Sequence, residues 1–144
     1  MEIDKELLEI FTDEIGELKG ELTPIFDKLK TNVQQPQLFL DFEQIIDRIY
    51  GTALTMGFTD VGNYLGLIRN MSRKCGSSKV PRAMAEVFKL LKVCMENFDS
   101  LGSSLSNPVE HKALLVKFDL EKRKAAKIDR EIFAFSKDAK TTLR

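Results

Sequence analysis

The sequence is poor in the residues that most catalytic and metal sites require. Its 144 residues include one histidine, His111, and two cysteines, Cys75 and Cys94, which lie far apart and form no CxxC or Cys/His cluster. We therefore expect neither a disulfide framework nor a zinc site, and we interpret both cysteines as reduced structural thiols. His111 lies between Glu110 and Lys112 at a polar helix start, which favours a surface histidine over a functional one.

Motifs for nucleotide binding and acid–base chemistry are also missing. The glycines are scattered, with no GxxxxGK[ST] loop and no GxGxxG after a strand, so nothing is expected to hold a nucleotide phosphate. Asp13, Glu14, Glu17 and Glu21 fall on what we expect to be the solvated side of an amphipathic helix. A Glu-x-x-His pair of the di-iron bundle type is absent. We predict a protein that is not an enzyme and that binds no metal and no cofactor.

Neither charge nor hydropathy indicates a nucleic acid or a membrane as a partner. The 22 basic and 22 acidic residues cancel, so there is no global field to attract either one. The basic residues Lys122, Arg123, Lys124 and Lys127 alternate with acidic neighbours and are expected to form a solvated face. The longest apolar runs fall far short of the ~20 residues of a membrane span, and the N-terminus has no signal-like pattern. We expect a cytoplasmic location.

Helical periodicity is what the sequence has in abundance. Apolar residues recur at steps of three and four, without strand-like alternation, and the chain has the size and the hydrophobic content of a single domain over residues 1–144. Core helices are predicted at about 4–29, 37–56, 60–75 and 81–99, with an extra helix at about 109–135. The short connections indicate an all-α fold, an antiparallel up-and-down four-helix bundle with an additional C-terminal helix.

Local signals predict where the helices begin and end. Asp4 is the expected N-cap of the first helix, and Pro24 is expected to kink or interrupt that helix. Gly57 is expected to end the second helix, and the third is expected to stop near Gly76. The inner stripe of the second helix is predicted to contain Leu38, Phe42, Ile45, Ile49, Ala53 and Met56.

One stretch carries a resemblance to a known family. The residues DRIYGTALTMGFT at positions 47–59 resemble the signature of histidine-phosphotransfer domains, in which a helix carries His-x-x-Lys-Gly-x-Ala and a second glycine marks its end. Gly51, Ala53 and Gly57 match that pattern. The segment 57–59 and the opening FTDEIGEL at positions 11–18 are similar to the N-terminal phosphotransfer domain of chemotaxis histidine kinases, whose five-helix layout also fits the helix count.

The departures from that signature bear directly on chemistry. Asp47 stands where the family has its phospho-accepting histidine, and Tyr50 stands where it has a lysine. The acidic residue that orients the histidine from the following helix falls near Arg69. An aspartate cannot replace the imidazole, because an acyl phosphate would need the acidic, metal-binding pocket of a receiver domain to form. The resemblance therefore implies a degenerate phosphotransfer domain that carries no phosphate.

The resemblance also implies a partner-binding site on the second helix. With the inner stripe centred near Ile49, Asp47 lies roughly opposite it, on a face shared with Leu40, Gly51 and Leu54. A glycine in a helix interior costs ~1 kcal/mol relative to alanine, which is tolerable where another backbone must approach. The predicted partner-binding residues, where family members dock a receiver domain, are Leu40, Asp47, Tyr50, Gly51 and Leu54.

Alternatives to receiver binding stay open. The chain is also interpretable as a structural or dimerisation bundle, with a homodimer formed through the same apolar face or through the fifth helix. A third alternative is a phosphotransferase that uses a non-standard residue such as His111. Exposed leucines are common, and the first helix would also explain Leu40 and Leu54 by covering them. Gly62 and Gly66, four residues apart, are predicted to allow close internal packing of helices.

Overall fold

The computed structural model describes residues 4–134, and Phe135, at the end of the predicted fifth helix, lies outside them. These residues form helices and short connections without a strand, so the prediction of an all-α fold is confirmed. The elements are α1 (Lys5–Thr31), α2 (Pro36–Thr55), α3 (Thr59–Ser78), α4 (Pro81–Ser103), a 3₁₀ turn (Ser104–Ser106), and α5 (Pro108–Ile128), which continues into a π-helical turn (Asp129–Phe133).

Residues with known capping roles define several of the helix ends. Asp4 is the N-cap of α1, as predicted, and its carboxylate accepts a hydrogen bond of 2.8 Å from the Glu6 backbone amide. Three helices begin with a proline in their first turn, where the missing donor costs nothing. Gly57 has a φ of 83°, which a glycine adopts without strain, and it ends α2 where the sequence predicted.

The interruption of helix α1 that the sequence offered as one outcome at Pro24 does not occur. The helix runs continuously from Lys5 to Thr31. Proline removes one amide donor, which leaves the carbonyl of Gly20 without its usual partner. Both Pro24 and Gly20 are exposed, so water can satisfy that carbonyl. The interior face of the helix stays buried on both sides of Pro24, through Leu18 and Leu22 before it and Leu29 after it.

Helices α3 and α4 extend beyond their predicted ends. Gly76 lies within α3, and the helix ends at Ser78, before Lys79 with its left-handed φ of 58°. α4 continues past residue 99 to Ser103. In both regions the glycine near the end is a packing residue, because Gly76 lies against Leu40 and Gly102 lies against the Thr12 side chain. Tertiary contacts therefore outweigh the low helix propensity of glycine.

The core lies among all five helices. α1 packs on α2 and α4, α3 packs on α2 and α4, and α5 covers α3 and α4. The buried stripe of α2 differs from the predicted one, because three of its predicted members, Leu38, Ile45 and Met56, are only half-buried. The stripe is therefore rotated toward α3. Its fully buried hydrophobic residues are Phe39, Phe42, Ile46, Ile49 and Ala53.

Within residues 4–134, every helix falls short of the combined length and hydropathy that a bilayer-spanning segment needs.

Candidate partner-binding site

Glycines of α3 bring that helix unusually close to α2. Each of three glycines faces an α2 side chain so closely that an added Cβ atom would lie 2.5–2.7 Å from it, and the pairs are Leu54 with Gly62, Tyr50 with Gly66, and Leu40 with Gly76. The contacts advance along α2 as they go back along α3, so these two helices run antiparallel. The predicted internal packing role of Gly62 and Gly66 is confirmed.

This packing changes the description of three of the predicted partner-binding residues. Leu40 and Tyr50 are half-buried, and Leu54 is 39% exposed. The expectation that both leucines lie on an open solvent face is therefore wrong for Leu40. The reason is that glycines without side chains let α3 lie against a wider part of α2 than a one-stripe helix would bury. The glycines of α3 lie directly against these side chains.

Asp47 is exposed on α2 and is paired with a cation from α3. The Arg69 Nη1 atom donates a hydrogen bond of 3.0 Å to Asp47 Oδ1. The Arg69 guanidinium also lies 4.1 Å from the centroid of the Tyr50 ring, a favourable cation–π geometry. Asp47, Tyr50 and Arg69, the three departures from the phosphotransfer signature, thus form one contact cluster.

Arg69 is held in place from several directions. Besides its bond to Asp47, it donates to the Asn70 side-chain oxygen from Nε at 3.2 Å and from Nη2 at 3.1 Å. Its side chain is 19% exposed, whereas the Asp47 side chain is 52% exposed. The guanidinium is therefore positioned as a fixed counter-charge beneath a carboxylate that still meets solvent.

A second ion pair lies one helical turn away along the same interface. Arg73 of α3 donates from Nε to Glu43 of α2 at 2.7 Å, and Glu43 is buried. The signal for both pairs was in the sequence, since acidic residues four apart on α2 face basic residues four apart on α3. From the sequence, Arg69 was considered only as a departure from the phosphotransfer signature, and so its role as the ion-pair partner of Asp47 was missed.

Gly51 has no neighbour that would require a glycine. An added Cβ atom would meet no heavy atom within 4 Å, and the residue is exposed. The three glycines of α3 differ from Gly51 in this respect, because α2 side chains occupy the space where their Cβ atoms would be. Among the predicted partner-binding residues, Asp47 and Gly51 are the two that face solvent openly, with Leu54 at their edge.

His111 lies away from these residues, at the start of α5. Its Nε2 atom is 3.3 Å from Asp60 Oδ2 and its side chain is 28% exposed. The Nδ1 atom is buried without a hydrogen-bond partner. His111 is therefore half-buried against the start of α3, which is a less open position than the surface histidine that the sequence predicted.

The cysteines do not form a reactive or metal-binding centre. Cys75 and Cys94 are free and buried, and burial raises the pKa of each thiol to about 12. Among residues 4–134, no three His, Cys, Asp or Glu side chains come together in an arrangement that could hold a metal ion.

Comparison of the chain with protein-family models, with curated proteins and with solved structures finds no match.

Proposed function

We propose that this chain is a non-catalytic module of the histidine-phosphotransfer type that docks a response-regulator receiver domain, or another two-component or chemotaxis partner, in the cytoplasm. In this proposal α1–α4 form an antiparallel up-and-down bundle to which α5 is added. The docking face consists of Asp47, Gly51 and the exposed part of Leu54, with Arg69 beneath it. The module transfers no phosphoryl group.

The observation that carries the proposal is the open space beyond Gly51. A glycine in a helix interior destabilises the helix by ~1 kcal/mol relative to alanine, and no internal contact of Gly51 offsets this. Approach of a partner's backbone would offset it. Gly16 and Gly20 of α1 are equally open, so openness alone does not define the site. Gly51 differs because it lies one turn from Asp47, in the frame of the phosphotransfer signature.

The electrostatics of the docking face suit a receiver domain. A receiver presents an acidic, metal-binding pocket to its phosphotransfer partner, and an isolated carboxylate at position 47 would repel it. Arg69 compensates that charge at 3.0 Å. A single carboxylate carries less negative charge than a phosphoryl group. Because Arg69 also neutralises that charge, Asp47 resembles a phosphorylated histidine even less. We therefore infer binding that does not depend on phosphorylation of this chain.

The experiment is a calorimetric titration of the chain with each receiver domain of the same genome. Gly51→Gln places a long side chain at a position where its Cβ atom would meet no heavy atom within 4 Å, and Gly16→Gln makes the same change on α1. We expect at least one receiver to bind, with affinity reduced at least about tenfold by Gly51→Gln and unchanged by Gly16→Gln. Absence of binding to every receiver would refute docking of a receiver domain, and equal binding by the Gly51→Gln variant would refute the proposed docking face.

Phosphotransfer through His111 is tested separately. His111 contacts Asp60 at 3.3 Å, and the Lys-Gly pair that follows the phospho-accepting histidine in the signature is absent after it. Incubation with a radiolabelled phosphorylated receiver should leave this chain unlabelled. An acid-labile label that disappears in His111→Gln would contradict the non-catalytic assignment.

A further inference from the structure

Helix α5 has a second apolar seam that faces away from the bundle. Its inner seam is buried against α3 and α4 through Leu114, Phe118, Ala125 and Ile128. On the opposite side, Val109, Val116 and Leu120 are 81%, 69% and 52% exposed, which makes them the three most exposed large hydrophobic residues among those described.

The spacing of the outer seam is that of a coiled coil. Val109, Ala113, Val116 and Leu120 follow one another at steps of four, three and four, and Ala113 is also exposed. This alternation places all four side chains on one line along the helix, as at the a and d positions of a heptad. Scattered exposed hydrophobic residues are ordinary on a protein surface, whereas a continuous seam of this spacing is typical of a helix with a partner.

We propose that the outer seam of α5 pairs with the same seam of a second copy of this chain in an antiparallel, two-fold arrangement. The charges favour this occupant and this direction. Beyond Leu120 the seam continues with Arg123 and Lys127. In a parallel pair, each of these cations would face the same cation of the second copy and be repelled by it. An antiparallel pair centred between Ala113 and Val116 leaves both cations outside the overlap.

The antiparallel arrangement also brings opposite charges together at the border of the seam. Lys112 and Asp119 each precede a seam residue, so they border the seam on the same side. Helical side chains lean toward the N-terminus of their own helix, so Lys112 of one copy and Asp119 of the other point toward each other, twice by symmetry. Asp119 is bonded to Arg123 at 3.0 Å in the single chain, and both side chains are largely exposed, so exchange of this pair costs little.

The overlap of about twelve residues is only ~18 Å long, which fits the weak class of interfaces that bury less than about 1,200 Å². We therefore expect a dimer that forms and dissociates with concentration. The seam belongs to α5, whereas the proposed docking face belongs to α2 and α3, so the two proposals stand or fall independently.

The experiment is sedimentation velocity of the full chain from about 10 µM to 1 mM, the range in which weak interfaces are populated. The weight-average mass should rise toward twice that of one chain. Val116→Lys, which places two like charges near the two-fold axis, should keep the chain monomeric. Ile10→Lys makes the same kind of change at an exposed residue of α1 and should leave dimerisation unchanged.

A charge exchange tests the direction of pairing. Lys112→Asp and Asp119→Lys should each weaken dimerisation, and the double variant should restore it, which a purely structural effect on one chain would not do. A chain that stays monomeric at the highest concentration would overturn the proposal. Unchanged dimerisation of Val116→Lys would do the same, as would failure of the double variant to recover, provided that circular dichroism shows each variant folded.

Discussion

Replacing single glycines with alanine tests the packing on which the candidate site depends. Gly51 is interior to α2, and an added Cβ atom would meet nothing within 4 Å. Alanine there removes the entropic cost of glycine and adds no contact, so the free energy of unfolding should rise by about 0.5–1 kcal/mol. For a chain of this length that corresponds to an increase in Tm of roughly 2–4 °C.

Gly76 of α3 should respond with the opposite sign. An added Cβ atom would lie 2.8 Å from the Pro36 carbonyl oxygen and 2.7 Å from Leu40 Cγ. Because one of these atoms belongs to the backbone, relief requires a shift of α2 relative to α3. We expect Gly76→Ala to lower the free energy of unfolding by about 1–3 kcal/mol, the usual range for overpacking.

Urea unfolding followed by circular dichroism measures both effects, with Gly16→Ala on α1 as a control that should match Gly51→Ala. The opposite signs are the critical result, since helix propensity alone would make all three variants more stable. If Gly51→Ala is destabilised, something within the chain occupies the space beyond Gly51. If Gly76→Ala is stabilised, α2 and α3 are not in close contact. Either result would refute the reasoning.

Three further predictions concern buried thiols, a buried carboxyl and the surface ion pair. Because burial raises the pKa of Cys75 and of Cys94 to about 12, both thiols should resist alkylation at pH 8 in the folded chain and react at full rate in urea. Glu121 is 2% exposed and has one oxygen without a hydrogen-bond partner, and this burial raises its pKa. The contribution of Glu121 to the free energy of unfolding is therefore most favourable below its unfolded pKa of about 4.3. That contribution is lost as the pH rises through the folded pKa. Glu121→Gln should therefore be more stable than the wild type at pH 8, with the difference shrinking toward pH 4, and a difference that grows on acidification would contradict this. A double-mutant cycle on Asp47 and Arg69 should give a coupling of at most about 1 kcal/mol that decreases with salt; a larger, salt-independent value would mean that the pair is shielded from solvent.

The periodic features of the sequence were enough to predict the helices, because helix formation here follows local signals. Apolar spacing placed all five helices, and Asp4 and Gly57 marked two ends correctly. The errors occurred where the packing or the solvent exposure of a residue, and not its type, decided the outcome. Gly76 reads as a helix end in sequence, yet the Leu40 side chain packs into the space it leaves. Pro24 reads as an interruption, yet its side of α1 faces water.

The exposure of the candidate site's residues could not be predicted from the sequence. A single helical wheel places Leu40 and Leu54 opposite the core, because it treats the helix as having one neighbour. Gly62 and Gly76 let α3 approach closely enough to cover part of that opposite side. Which α2 residues face those glycines depends on the register between two helices, and no local signal in either helix specifies that register.

The three departures from the phosphotransfer signature depend on one another physically. Tyr50 provides the ring on which the Arg69 guanidinium lies at 4.1 Å, and Arg69 provides the counter-charge that Asp47 contacts at 3.0 Å. A histidine at position 47 would face that same guanidinium, which disfavours a protonated imidazole, and it would lack an acidic partner to orient its ring. A lysine at position 50 would place a second cation beside Arg69. Changing any one of these three side chains alone would therefore disturb the other two, because they form a single contact cluster.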